Sequence, residues 1–68
     1  MNEYYYKYKN EKDRMSCIFF LKHSSFWNSI EIISSKSNTN RITICLDESE
    51  FEEFYSQLCF KGFKFYEL

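Results

Sequence analysis

The chain has 68 residues and a net charge of −1; 44% of it is hydrophobic and 22% aromatic, with six Tyr, eight Phe and one Trp. This size bounds it to one domain, spanning 1–68, that hides only about 60% of its unfolded surface, and the aromatic content excludes a disordered tail. The net charge predicts no polyanionic partner, but its distribution is uneven. Residues 1–45 carry seven Lys or Arg against four acids, whereas residues 46–59 carry five acids and no base. Such a split predicts two electrostatically different surfaces.

Cys17, Cys45 and Cys59 are odd in number and lack paired spacing. They fit small apolar side chains in a reducing compartment better than a disulfide framework. His23 is the lone histidine, so no zinc site is expected. The start MNEYYYKYKNEKDR has no apolar signal-peptide core, and CIFFL is too short to cross a bilayer. The expected setting is soluble and cytoplasmic.

In chain order, Tyr4, Tyr6 and Tyr8 alternate with Tyr5, Lys7 and Lys9, which predicts a first strand. Residues 10–14 are charged and turn-like. Met15 to Lys22 is expected to be a second strand, with Cys17, Phe19 and Leu21 on one face and Ile18, Phe20 and Lys22 on the other. Residues 23–28, HSSFWN, form a polar connection with two aromatics. A third strand is expected from Ser29 to Ser35, then a hairpin loop over 34–40, then a fourth strand from Arg41 to Leu46 with Ile42, Ile44 and Leu46 inward.

The period then changes. Asp47 is an N-cap with Glu50 three residues on. Phe51, Phe54, Tyr55, Leu58 and Cys59 make one apolar stripe. Gly62, the sole glycine, is placed as the left-handed residue ending the helix. The tail FKFYEL alternates and could add a short strand. The expected fold class is α+β: a four-stranded antiparallel sheet followed by one C-terminal helix packed on one face, β-β-β-β-α.

That layout leaves one sheet face bare. It is expected to show Ile18, Phe20, Lys22, Ile33, Arg41 and Thr43, with Tyr5, Lys7 and Lys9 from the first strand. Aromatics mixed with cations on an open sheet suit single-stranded nucleic acid, since bases stack on rings while cations follow phosphates. The same apolar surface could instead be a dimer interface. No nucleophile–base pair or phosphate-cradling glycine loop is present, so no enzyme, cofactor or small-molecule substrate is expected. The alternative is a protein-interaction module using the acidic helix face of Glu48, Glu52 and Glu53.

The succession of an aromatic and basic first strand, CIFFLKH, SIEIISSK and RITICLDESEFEEFYSQL resembles a PUR-type repeat, of the purine-rich element binding family. The resemblance covers about Tyr4 to Leu58. It implies a β-β-β-β-α unit that dimerises and binds single-stranded DNA or RNA. It also implies a nucleic-acid contact at Lys22 and a stacking aromatic at Phe26 or Trp27. The family often has Asn and Gly-Arg in that connection, where this chain has HSSFWNS. The expected nucleic-acid-binding residues are therefore Tyr5, Lys7, Lys9, Phe20, Lys22, Phe26, Trp27 and Arg41, in a homodimer.

Overall fold

A computed structural model describes residues 2–34 and 40–68. Strand β1 (Asn2–Lys7) is followed by helix α1 (Glu11–Lys22), a short 3-10 turn (Trp27–Ser29), β2 (Glu31–Ser34), β3 (Arg41–Leu46), α2 (Glu48–Phe60) and β4 (Tyr66–Glu67). The four strands make one antiparallel sheet in the order β2-β3-β1-β4. Helix α1 joins the parallel strands β1 and β2 across β3, and α2 joins β3 to β4 across β1. This is the split β-α-β topology of the ferredoxin-like kind.

The expected β-β-β-β-α layout is therefore corrected: the chain runs β-α-β-β-α-β. The expected second strand, Met15 to Lys22, is the larger part of α1. The reason lies at its start. The Asn10 side chain accepts a hydrogen bond from the Asp13 N–H at 2.8 Å, capping the helix. Glu11 and Asp13 sit in the first turn and Lys22 in the last, matching the ends of the helix dipole. Cys17 and Leu21, four apart, are buried against the sheet, which is helical spacing.

The first strand ends at Lys7, short of Lys9, and the third begins at Glu31, because Trp27–Ser29 form the 3-10 turn at the expected start of that strand. The fourth strand and the C-terminal helix match the expectation. Strand β3 buries Ile42, Ile44 and Leu46, and the chain turns straight from it into α2. There the Asp47 carboxylate accepts from the Ser49 N–H at 3.1 Å. Gly62 has φ +95°, a conformation open to glycine at little cost. It ends α2 as a Schellman motif: Phe63 N–H donates to the Leu58 carbonyl at 2.8 Å and Gly62 N–H to that of Cys59 at 2.9 Å. The tail then supplies β4, which pairs with β1 of the same chain. Of the hairpin loop expected over 34–40, residues 35–39 lie outside the described residues; Asn40 has φ 55°, which Asn tolerates better than most residues.

One core holds the molecule together, between the helix-bearing face of the sheet and the two helices. Tyr4, Tyr6 and Tyr8 of the β1 region meet Ile42, Ile44 and Leu46 of β3, Cys17 and Leu21 of α1, Phe54 and Leu58 of α2, and Phe26, Phe63 and Phe65 from the connections. The Tyr4 and Phe51 rings stack at 3.9 Å and 7°, and Phe26 and Phe63 meet Phe54 and Tyr6 edge-on. Aromatic pairs add about 0.5–1.5 kcal/mol each beyond the area they bury. Both helices cover the same face, so among the described residues nothing covers the other face of the sheet.

Candidate nucleic-acid interface

Alternation along β1 and β3 decides what that bare face carries. Because Tyr4, Tyr6, Ile42, Ile44 and Leu46 point into the core, Glu3, Tyr5, Lys7, Arg41, Thr43 and Cys45 point the other way. Antiparallel register arranges them in rows across the strands. Glu31, Cys45 and Glu3 form one row, and Thr43, Tyr5 and Tyr66 the next. Arg41 lies beside Lys7. Lys64, two residues before Tyr66, falls on Lys7's other side, and the two line a common depression of about 440 Å³ with Lys9 and Tyr66. The face therefore grades from an acidic row, through an aromatic row, to a basic one.

The aromatic row pairs an exposed ring with a covered one. Tyr66 is 52% exposed, with its ring 5.7 Å from that of Tyr5. The Arg41 guanidinium lies 4.4 Å from the centroid of the Tyr5 ring, a cation–π contact. The outer surface over Tyr5 is thus a guanidinium plane, which also accepts a stacked base. Lys7, Lys9, Arg41 and Lys64 are exposed. Among the described residues the ion pair found is Arg14 with Glu11, so none of these four cations is neutralised by a carboxylate in contact. Asp13, which also borders the depression, is held by the Tyr6 hydroxyl and the Lys9 N–H.

The expected site residues divide in two. Tyr5, Lys7 and Arg41 come together on the bare face, and Lys9 borders the same basic end. Phe20 and Lys22 do not join them: they belong to α1, on the opposite side of the sheet. Ile18, expected on the bare face, also lies on α1. Phe26 is 6% exposed, within the core, and Trp27 is half-buried against it. Their connection leads α1 back to β2 beneath the helices, so neither offers a free ring to the bare face. Tyr66 and Lys64 join the site without being expected there. The alternation of FKFYEL puts them on one face, but nothing local shows that this tail pairs with β1.

Elsewhere, the acidic side of α2 exposes Glu48, Glu52 and Glu53. Burial, with some help from the nearby Asp13 charge, pushes the Cys17 thiol up to about 12. No described helix is long and apolar enough to cross a membrane. In comparisons with known proteins, no family model matches the chain, and no curated protein or solved structure is significantly similar to it.

Proposed function

We propose that the chain is a small single-stranded DNA- or RNA-binding protein that works through the bare face of its sheet. The observation carrying this reading is the pairing of an aromatic row, an exposed Tyr66 beside a Tyr5 that lies under Arg41, with an adjoining basic cluster of Lys7, Lys9, Arg41 and Lys64. Bases stack on the first while phosphates follow the second. The acidic row of Glu3 and Glu31 at the far end repels phosphate, so the strand crosses the β-strands at the basic end instead of running along them. Strands β3, β1 and β4 span about 10 Å, which suits a short footprint of two or three nucleotides. Topology alone argues for no particular role; the face does.

The protein acts by binding, without catalysis. Its three free cysteines support a reducing, cytoplasmic setting.

Fluorescence anisotropy with labelled single strands, repeated across salt concentrations, tests this. Three phosphate contacts, from Lys7, Lys9 and Lys64, give a slope of about −2 in log K against log salt, at about −0.7 per contact. Absence of binding at low salt, or binding indifferent to salt, overturns the reading.

A further inference from the structure

The bare face carries three rows in a fixed order, and a nucleotide carries three parts in the same order. Residues two apart on a strand stand about 7 Å from one another. Along β1 this spaces Glu3 of the acidic row, Tyr5 of the aromatic row and Lys7 of the basic row. Tyr66 lies beside Tyr5, and Lys64 stands with Lys7 and Lys9 around the basic depression.

Consider a base stacked on Tyr66 or on the Arg41 guanidinium, with its phosphate at the lysines. Sugar and phosphate leave one side of the base, and its Watson–Crick edge lies on the side away from them. That edge then points toward Glu3, and in a single strand it is free to be read. Glu3 is exposed, and among the described residues no cation is paired with it. Glu31 stands in the same row but two strands away, beyond Cys45, so Glu3 is the carboxylate of that row nearest Tyr5 and Tyr66. It reaches the base with the end of its side chain, so its own backbone stays at the edge of the footprint.

We propose that Glu3 is a specificity-determining residue, which selects strands whose bases carry an exocyclic amino group and rejects runs of thymidine or uridine. This selection rests on the bare-face reading above and adds a choice of base to it. An ionised carboxylate accepts hydrogen bonds and donates none. Cytosine, adenine and guanine each offer it an amino group, as in the pairing of Glu with the cytosine amino group. Thymine and uracil offer a single imino N–H between two carbonyl oxygens, which the carboxylate repels. The discrimination therefore has an attractive and a repulsive half.

Anisotropy with short labelled homopolymers of deoxycytidine and of deoxythymidine, at one salt concentration and neutral pH, tests the proposal. Both are pyrimidine strands of equal backbone charge, so the phosphate contribution cancels in the ratio of their affinities. The wild type binds the cytidine strand about tenfold more tightly. Glu3→Gln brings the ratio close to one, because an amide both donates and accepts and so serves either base. The side chain is exposed, so this variant keeps the wild-type thermal transition. Lys7→Gln weakens both strands alike and keeps the ratio. Equal affinity of the wild type for the two, a preference for thymidine, or a cytidine preference that survives Glu3→Gln overturns the proposal and leaves the bare-face reading standing. Failure of both strands to bind at low salt overturns the two together.

Discussion

The Tyr6 hydroxyl donates to the Asp13 carboxylate, its oxygen lying 2.9 and 3.0 Å from the two carboxylate oxygens. This contact ties the end of β1 to the first turn of α1, and the same carboxylate accepts from the Lys9 N–H at 2.9 Å. It fixes the sharp exit of the chain from the sheet into a helix over residues 8–10. A hydrogen bond to a charged group is worth about 1.5–3 kcal/mol, discounted here because Asp13 is only partly buried. Tyr6→Phe is expected to cost about 1–2 kcal/mol, measured by urea unfolding. An unchanged midpoint would show that the bond contributes nothing net.

Two buried groups make the fold sensitive to alkali. Burial chiefly, and then the hydrogen bond to Asp13, raise the Tyr6 phenol well above its usual value of 10.0; burial raises Cys17 from 9.0 to about 12. Both keep their protons in the folded state while the unfolded chain loses them. Their contribution is complete below pH 9 and is lost as pH rises from about 9 toward and beyond 12. The thermal midpoint is expected to fall between pH 9 and 11, less steeply in Cys17→Ala. In the native protein Cys17 reacts with a thiol reagent only through unfolding, whereas Cys45 and Cys59 are partly accessible.

A methyl group added at Gly62 meets open space, with nothing within 4 Å. The positive φ is then the whole penalty of a side chain there. Gly62→Ala is expected to cost about 1 kcal/mol without altering neighbouring packing. Calorimetry of that variant beside Lys61→Ala separates the backbone effect from a general effect of substitution at this helix end.

On the bare face, Tyr66→Ala removes one stacking ring and is expected to weaken single-strand binding by about 1–3 kcal/mol. Lys7→Gln removes a phosphate contact and lowers the salt slope by about 0.7. Both leave the thermal transition nearly unchanged, since both side chains are exposed. Glu52→Lys with Glu53→Lys, on the far side of α2, leaves binding intact; loss of binding there would favour the acidic helix face as the working surface.

Phe26→Ala gives the converse result. Its ring meets Phe54 edge-on at 5.7 Å within the core, so the variant is expected to lose about 3–5 kcal/mol of stability. Any loss of binding follows the loss of fold in a denaturation curve.

Much of the structure is legible in the residues, in places where local chemistry decides the outcome. The alternation at Tyr4–Lys9 and Arg41–Leu46 places β1, β3 and the faces of both. Asp47, the 51/54/58 spacing and Gly62 place α2 and its end. Helix α1 is hidden because Met15 and Cys17 to Leu21 are apolar almost without a gap. Such a run satisfies a two-residue period as readily as a helical one. The deciding signal is the polar pair Asn10 and Asp13, a helix cap lying in a stretch whose charge also suits a turn. A strand in place of α1 carries Phe20 and Lys22 onto the wrong side of the sheet and leaves Phe26 and Trp27 looking like free rings. Lys64 and Tyr66 escape because the pairing of β4 with β1 joins residues some sixty positions apart, which no local pattern reveals.

The most direct test is amide chemical-shift mapping by ¹H–¹⁵N NMR while a short single-stranded oligonucleotide is titrated in. Perturbations are expected at Tyr5, Lys7, Arg41, Thr43, Lys64 and Tyr66, fading toward Glu3 and Glu31 and absent along the outer side of α1. Shifts centred on α1 or on the acidic side of α2, or none at all at low salt, would contradict binding through the bare face.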